Sequence, residues 1–177
     1  TAGMKVLGTL DDVQFGVTPK DEIYREDKLV VYRFRGDRKP TAKTPTLIVY
    51  ALVNRPYMVD LQEDKSLVRN LLAQGEDIYL IDWGYPDRAD RWLTLDDYIN
   101  GYIRRSVDAV ARHAGVKKIN VLGICQGGAF SLCFSAIHPQ KVKNLITMVT
   151  PVDFHTPDNM LSNWTRGLDI DLFVDTL

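Results

Sequence analysis

The chain has little cysteine, few histidines, no excess of charge of either sign and no long apolar stretch. Its two cysteines, Cys125 and Cys133, are too few for a disulfide framework. If both lie on one helix they stand about 12 Å apart along its axis, too far for an S–S bond. Reduced thiols fit a cytoplasmic setting, and no Cys/His cluster has the spacing of a zinc site. Lys and Arg number 22 against 23 Asp and Glu, which argues against a basic face for nucleic acid as the chain's main business. The longest wholly apolar run, Leu47–Val53, is seven residues, whereas a membrane span needs about 20. No secretory hydrophobic region opens the chain, and the first residue is Thr1, so the N-terminus reads as trimmed. Gly and Pro, 12 and 8 residues, are too sparse for a disordered or collagen-like chain. What remains is 177 residues, 45% hydrophobic and 25% charged, the composition of one globular domain or a large piece of one.

There are no repeats. After an irregular start, Lys28–Phe34 is rich in β-branched and aromatic residues and reads as a strand closed by Gly36 and Asp37. Thr46–Val53 is continuously apolar, the pattern of a strand buried on both faces of a parallel sheet. Ser66–Gln74 reads as a helix stopped by Gly75, and Ile78–Trp83 as the next buried strand. Thr94 and Asp97 have the spacing of a capping box. They open a long helix with Tyr98, Ile99, Tyr102, Ile103, Val107, Val110 and Ala111 on one face, ending near Gly115. Ile119–Leu122 and Leu145–Val149 read as further buried strands, on either side of a helix at Gln126–Ile137. Strands alternating with helices imply crossovers and a parallel sheet, which binds ligands beyond the carboxyl ends of its strands. The residues after Val53, Trp83, Leu122 and Val149 are therefore the ones to inspect.

Gly123-Ile124-Cys125-Gln126-Gly127 lies where a strand turns sharply into a helix. That is the G-x-S-x-G nucleophile elbow with sulfur in place of oxygen. The central residue sits in a strained turn that exposes its side chain, and the glycines remove Cβ atoms that would collide there. A helix N-terminus offers unpaired N–H groups and a dipole that favour the thiolate form of cysteine. The Gln126 N–H would face an oxyanion formed by attack on a carbonyl, and the second donor is expected from the backbone N–H of Val53, in the loop after an earlier strand. Cys133, among Phe130, Leu132, Phe134 and Ile137, reads as a core residue. No metal is called for.

Such a nucleophile needs a histidine base and an orienting acid, in the chain order nucleophile, acid, histidine. His113 precedes the elbow and reads as a complement to a helix C-terminus. His138 sits about 20 Å up the helix from Cys125 and cannot reach it. His155, near Asp153 and Asp158 just after a strand end, is the candidate base within the chain. It leaves little room for an acid-bearing loop, so base and acid are expected beyond Leu177, and the chain would be half of a hydrolase-type domain, inactive alone. Aromatics of Asp82-Trp83-Gly84-Tyr85-Pro86 either line an acyl pocket or pack the loop. Arg55, Arg88 and Arg91 either meet substrate phosphates or form a solvated surface.

The elbow with Gly128, the stretch Tyr50-Ala51-Leu52-Val53-Asn54-Arg55-Pro56-Tyr57 and the loop Asp82-Trp83-Gly84 together resemble polyhydroxyalkanoate synthases. The closest likeness is to the catalytic subunit of the two-subunit, class III type that makes poly(3-hydroxybutyrate). The resemblance implies an α/β-hydrolase core over residues 1–153, mostly a parallel sheet flanked by helices, with the start of a lid at 154–177. It implies an acyltransferase that polymerises (R)-3-hydroxyacyl groups from coenzyme A thioesters, with Cys125 as acyl carrier, no cofactor, and release of coenzyme A. Cysteine suits this chemistry because its thioester stays reactive enough to acylate a hydroxyl, provided water is kept out. The resemblance further implies homodimerisation, a second non-catalytic synthase subunit, and attachment to polymer granules in the cytoplasm. The same elbow also serves cysteine hydrolases of the dienelactone-hydrolase kind, with water as acceptor, and a fragment could act as a binding scaffold only.

Overall fold

A computed structural model describes residues 15–153, 155–169 and 171–172. The first fourteen residues, read as an irregular start, lie outside the described residues, as do positions 154, 170 and 173–177 of the expected lid.

Six strands form one sheet: β1 (Lys20–Glu26), β2 (Leu29–Phe34), β3 (Thr46–Val49), β6 (Ile78–Asp82), β7 (Ile119–Ile124) and β8 (Val142–Met148). A separate ribbon pairs β4 (Asp60–Gln62) with β5 (Lys65–Ser66). The large sheet runs in the order β1-β2-β6-β3-β7-β8. Its β1–β2–β6 side is antiparallel, and β6, β3, β7 and β8 are parallel. Helix α1 (Leu67–Ala73), the helix that opens as a π-helical stretch at Asp97–Ile103 and continues as α2 (Arg104–Ala114), and α3 (Gln126–Ile137) are the crossovers. A short α4 (Met160–Thr165) follows the sheet.

Side chains of a strand alternate between faces, so a run apolar at every position must feed two cores. Leu47 and Val49 join Tyr79, Ile81 and Val121 beneath Ile103, Val107, Phe130 and Phe134. Ile48 joins Ile78, Leu80, Leu122 and Ile124 against Val68 of α1. Helix ends match their sequence signals. The Ser66 hydroxyl caps α1 by accepting from the Arg69 N–H at 2.9 Å, Thr94 and Asp97 exchange capping bonds, and Gly115 closes α2 at φ 67°.

Several expectations need correction. Strand β1 falls in the stretch read as irregular; KDEIYRE is mostly charged, which suits an edge strand but hides its period. Strand β3 ends at Val49, four residues before the apolar run does, because Tyr50–Val53 turns into a loop over the sheet edge. Strand β8, expected to be buried, is the last strand of the sheet among the described residues, and most of its side chains are exposed there. Cys133 is exposed rather than in the core. The sheet-facing side of α3 carries Gly127, Gly128, Phe130, Ser131 and Phe134, and Cys133 falls on the other side of the cylinder. Both cysteines are free, as expected. Among the described residues no helix is long and apolar enough to cross a membrane, and no group of His, Cys, Asp and Glu could hold a metal.

Tyr79 is wholly buried, and its hydroxyl bonds Asp77 and His113. Burial, then the Asp77 carboxylate, pushes its pKa up to about 12. The folded value lies above the unfolded value of about 10, so this stabilisation is complete below pH 10 and is lost as pH rises toward 12. Denaturant unfolding at pH 9 to 12 should show the fall, and Tyr79→Phe should flatten it.

Candidate active site

The parallel strands β3, β6 and β7 point their carboxyl ends to one edge, and the turn from β7 into α3 stands there. Cys125 occupies that turn at φ 55°, ψ −127°. Non-glycine residues rarely adopt such a backbone, and it persists only where the surroundings impose it. The constraint is visible on both sides. The Cys125 N–H donates to the Met148 carbonyl of β8 at 3.0 Å, and its own carbonyl accepts from the Gly128 N–H at 2.9 Å. A Cβ on Gly127 would stand 2.1 Å from the Val49 carbonyl oxygen, and one on Gly128 would stand 1.9 Å from Thr150 Oγ1. Gly123 is as tight, its Cβ position lying 2.6 Å from the Gly128 Cα. Ser131, buried, returns a hydrogen bond to the Gly127 carbonyl at 2.7 Å. Cys125 is half-buried and, like Tyr50, packs against the apolar cluster that holds Leu122 and Ile124.

The loop after β3 closes the other side. The Gln126 side chain accepts from the Leu52 N–H at 3.0 Å and so ties this loop to the elbow. Val53, the expected oxyanion donor, is the next residue. The residue is 78% exposed, and its N–H makes no hydrogen bond among the described residues. As the first residue of α3, Gln126 carries an N–H with no intrahelical partner. Tyr50 was not singled out by sequence reasoning. Burial first, and the neighbouring Cys125 second, hold its hydroxyl above the ordinary tyrosine value, so it stays protonated there. Its place directly after β3 was the available signal, obscured because the apolar run continues past it.

The loop after β6 sits alongside. Trp83 Nε1 donates to the Tyr50 carbonyl at 3.0 Å and the ring meets Tyr98 edge-on at 5.6 Å. Arg55 donates to the Gly84 carbonyl at 2.8 Å and lies 3.7 Å over the Tyr85 ring. Trp83 packs the loop and, with Tyr85, lines a cavity of about 490 Å³. Arg55 is engaged by protein groups, and Arg91 lies over Trp92.

The histidines divide as follows. The exposed His113 accepts or donates at the Tyr79 hydroxyl, and His138 pairs with Asn100 at 2.8 Å, both away from the sulfur. The His155 side chain is 88% exposed, 3.6 Å from Asp153, and no hydrogen bond joins it to Cys125.

The chain belongs to the α/β hydrolase family: a family profile for the alpha/beta hydrolase fold matches residues 34–173. A putative lipase from Acinetobacter baumannii AYE shares the fold with a TM-score of 0.57 at 12% identity, over 92% of this chain and 50% of that one. The thioesterase domain from the curacin biosynthetic pathway matches with a TM-score of 0.52 at 14% identity, over 84% of this chain and 50% of its own.

Within that family the sequence is similar to poly(3-hydroxyalkanoate) polymerase subunits named PhaC. It is 63% identical over 177 residues to the one from Allochromatium vinosum, covering 99% of this chain and 50% of that protein. It is 55% identical over 173 residues to the one from Synechocystis sp., covering 94% of this chain and 46% of that protein. The chain thus spans about half the length of these relatives.

Gly127→Ala should push the first turn of α3 off the Val49 carbonyl. Overpacking of this kind costs about 1–3 kcal/mol, measurable as a lower urea midpoint.

Proposed function

We propose that the full-length protein is an acyltransferase that polymerises (R)-3-hydroxyacyl groups from coenzyme A thioesters, with Cys125 as the covalent carrier. The observation that carries this reading is a cysteine at the strained turn between β7 and α3, open at the sheet edge where this fold binds ligands. Sequence kinship to polymerase subunits supports the substrate class.

In the priming step the Cys125 sulfur attacks the thioester carbonyl. A bond forms between that sulfur and the acyl carbon, the bond to the coenzyme A sulfur breaks, and the Cys125 proton ends on the departing thiol. The N–H groups of Gln126 and Val53 are the proposed donors to the oxyanion formed on the way. In elongation a 3-hydroxyl attacks the Cys125 thioester, a C–O bond forms, the C–S bond breaks, and the hydroxyl proton returns to sulfur. The base that moves these protons is proposed to be a histidine outside this chain, because the His155 side chain stands in solvent without a bond to the sulfur. Burial, with Cys125 nearby, keeps the Tyr50 hydroxyl protonated. Granule attachment, dimerisation and a second subunit rest on the same kinship and belong to the proposal.

The test is release of free thiol from 3-hydroxybutyryl-coenzyme A by the full-length protein, with product sizing. Insoluble polyester is expected; monomeric hydroxy acid would assign a hydrolase, and no thiol release would end the reading. Cys125→Ala should lower turnover by at least about a thousandfold, as loss of a covalent nucleophile does elsewhere. The exposed Cys133, changed to Ala, should leave turnover within twofold.

A further inference from the structure

The cavity beside the 50–55 loop is not lined by Cys125, and the covalent chemistry does not use it. It lies over the ends of β6 and β3, and its wall includes Leu52 and Val53. Because Gln126 binds the Leu52 N–H, one loop is shared by the cavity and the elbow. In the order β6-β3-β7 the cavity's strand is two steps from the strand that carries the sulfur. At about 4.8 Å per step that is roughly 10 Å.

The cavity is a built one. The π-helical stretch brings Tyr98 and Tyr102 to its wall, and π-turns within helices often mark functional positions. Tyr98 is wedged between Trp83 at 5.6 Å and Phe130 at 6.2 Å. The Tyr102 hydroxyl donates to Asp27 at 2.7 Å. Lys28, paired with Asp87 and Asp90, straps the loop after β6 to the turn between β1 and β2. Gly84, at φ 73°, lets that loop pass the Lys28 carbonyl, which a Cβ would approach to 2.6 Å. The volume of about 490 Å³ is that of a small-molecule site.

Its chemistry selects an occupant. The walls are mostly apolar, with two cations, Lys28 and Arg55, and two carboxylates, Asp27 and Asp90. Lys28 is held by two aspartates, and Arg55 by the Gly84 carbonyl and Asp82. The charge of each cation on this wall is thus already met by a carboxylate. One donor is left over: Arg55 Nε is buried without a hydrogen-bond partner, and the Tyr98 hydroxyl on the same wall makes no hydrogen bond to another described residue. An aliphatic ester is uncharged and carries acceptors only, so it can satisfy that donor without adding a charge to a wall whose ions are already paired.

We infer that this cavity holds the uncharged tail of the growing polyester while its end is worked on at Cys125. The inference rests on the acyltransferase reading above. Coenzyme A, with its phosphates, is not the occupant.

The test uses full-length protein and a soluble tetramer of (R)-3-hydroxybutyrate as its methyl ester, with affinity read by calorimetry. The tetramer should bind, alkylation of Cys125 should leave that binding in place, and free coenzyme A should not displace it. Leu93→Trp, which fills the cavity, should weaken binding at least tenfold and shorten the polymer, while the first equivalent of thiol is still released. Should Leu93→Trp fail to fold, Tyr98→Phe keeps the shape, removes one donor and should weaken binding about threefold or more. Unchanged affinity in both variants, no tetramer binding, or displacement by coenzyme A would overturn the cavity assignment alone. Absence of thiol release from the unaltered protein would instead overturn the acyltransferase reading.

Discussion

Helix α3 approaches the sheet more closely than any side chain would permit, and the geometry of the site follows from that approach. The Cα atoms of Gly127 and Gly128 lie against the Val49 carbonyl and Thr150. The first turn of the helix is pressed down there, and Cys125, between β7 and that turn, stands at positive φ. Strain at one residue, of order 1–3 kcal/mol, is thus held in place by contacts on several others. The same approach sets the helix's free N–H groups beside the sulfur.

The loops after β3 and β6 are held to this bend by polar links: Gln126 to the Leu52 N–H, Trp83 to the Tyr50 carbonyl, and Arg55 to the Gly84 carbonyl. Each link joins a side chain to a backbone group that no strand or helix satisfies, and a partly buried backbone group left unpaired is costly. These bonds therefore do two things at once: they satisfy the irregular chain and they fix its position relative to Cys125. A loop so tied can present Val53 to the site without being part of the sheet.

The parallel core was legible because a strand buried on both faces has no polar positions, and Leu47, Ile48 and Val49 show that directly. The elbow was legible because its glycines are needed in sequence as well as in space. What stayed hidden has physical reasons. The run Thr46–Val53 does not mark where β3 ends, since Tyr50 and Leu52 remain apolar while packing a loop. The charged strand β1 satisfies its backbone through β2 rather than through a buried face, so hydrophobic period says nothing about it. Cys133 has apolar neighbours in sequence, but neighbours on a helix point in different directions. The π-helical opening at Asp97–Ile103 changes which side chains share a face, and no residue type announces it.

Sulfur and the apolar surroundings support the same chemical outcome in the proposed reaction. An acyl group on Cys125 remains a thioester, reactive toward an alcohol and toward water alike, so transfer to a growing chain needs an edge where water is scarce and an ester is welcome. Cys125 packs against the apolar cluster that holds Ile124 and Leu122, with Tyr50 packed against the same cluster. On the far side of the 50–55 loop, Trp83, Leu93 and Tyr98 continue that apolar environment, with the few charges there already paired to one another. A hydrolase gains nothing from such a surface beyond its acyl pocket, whereas an enzyme that returns its product as the next acceptor must keep hold of the product between additions.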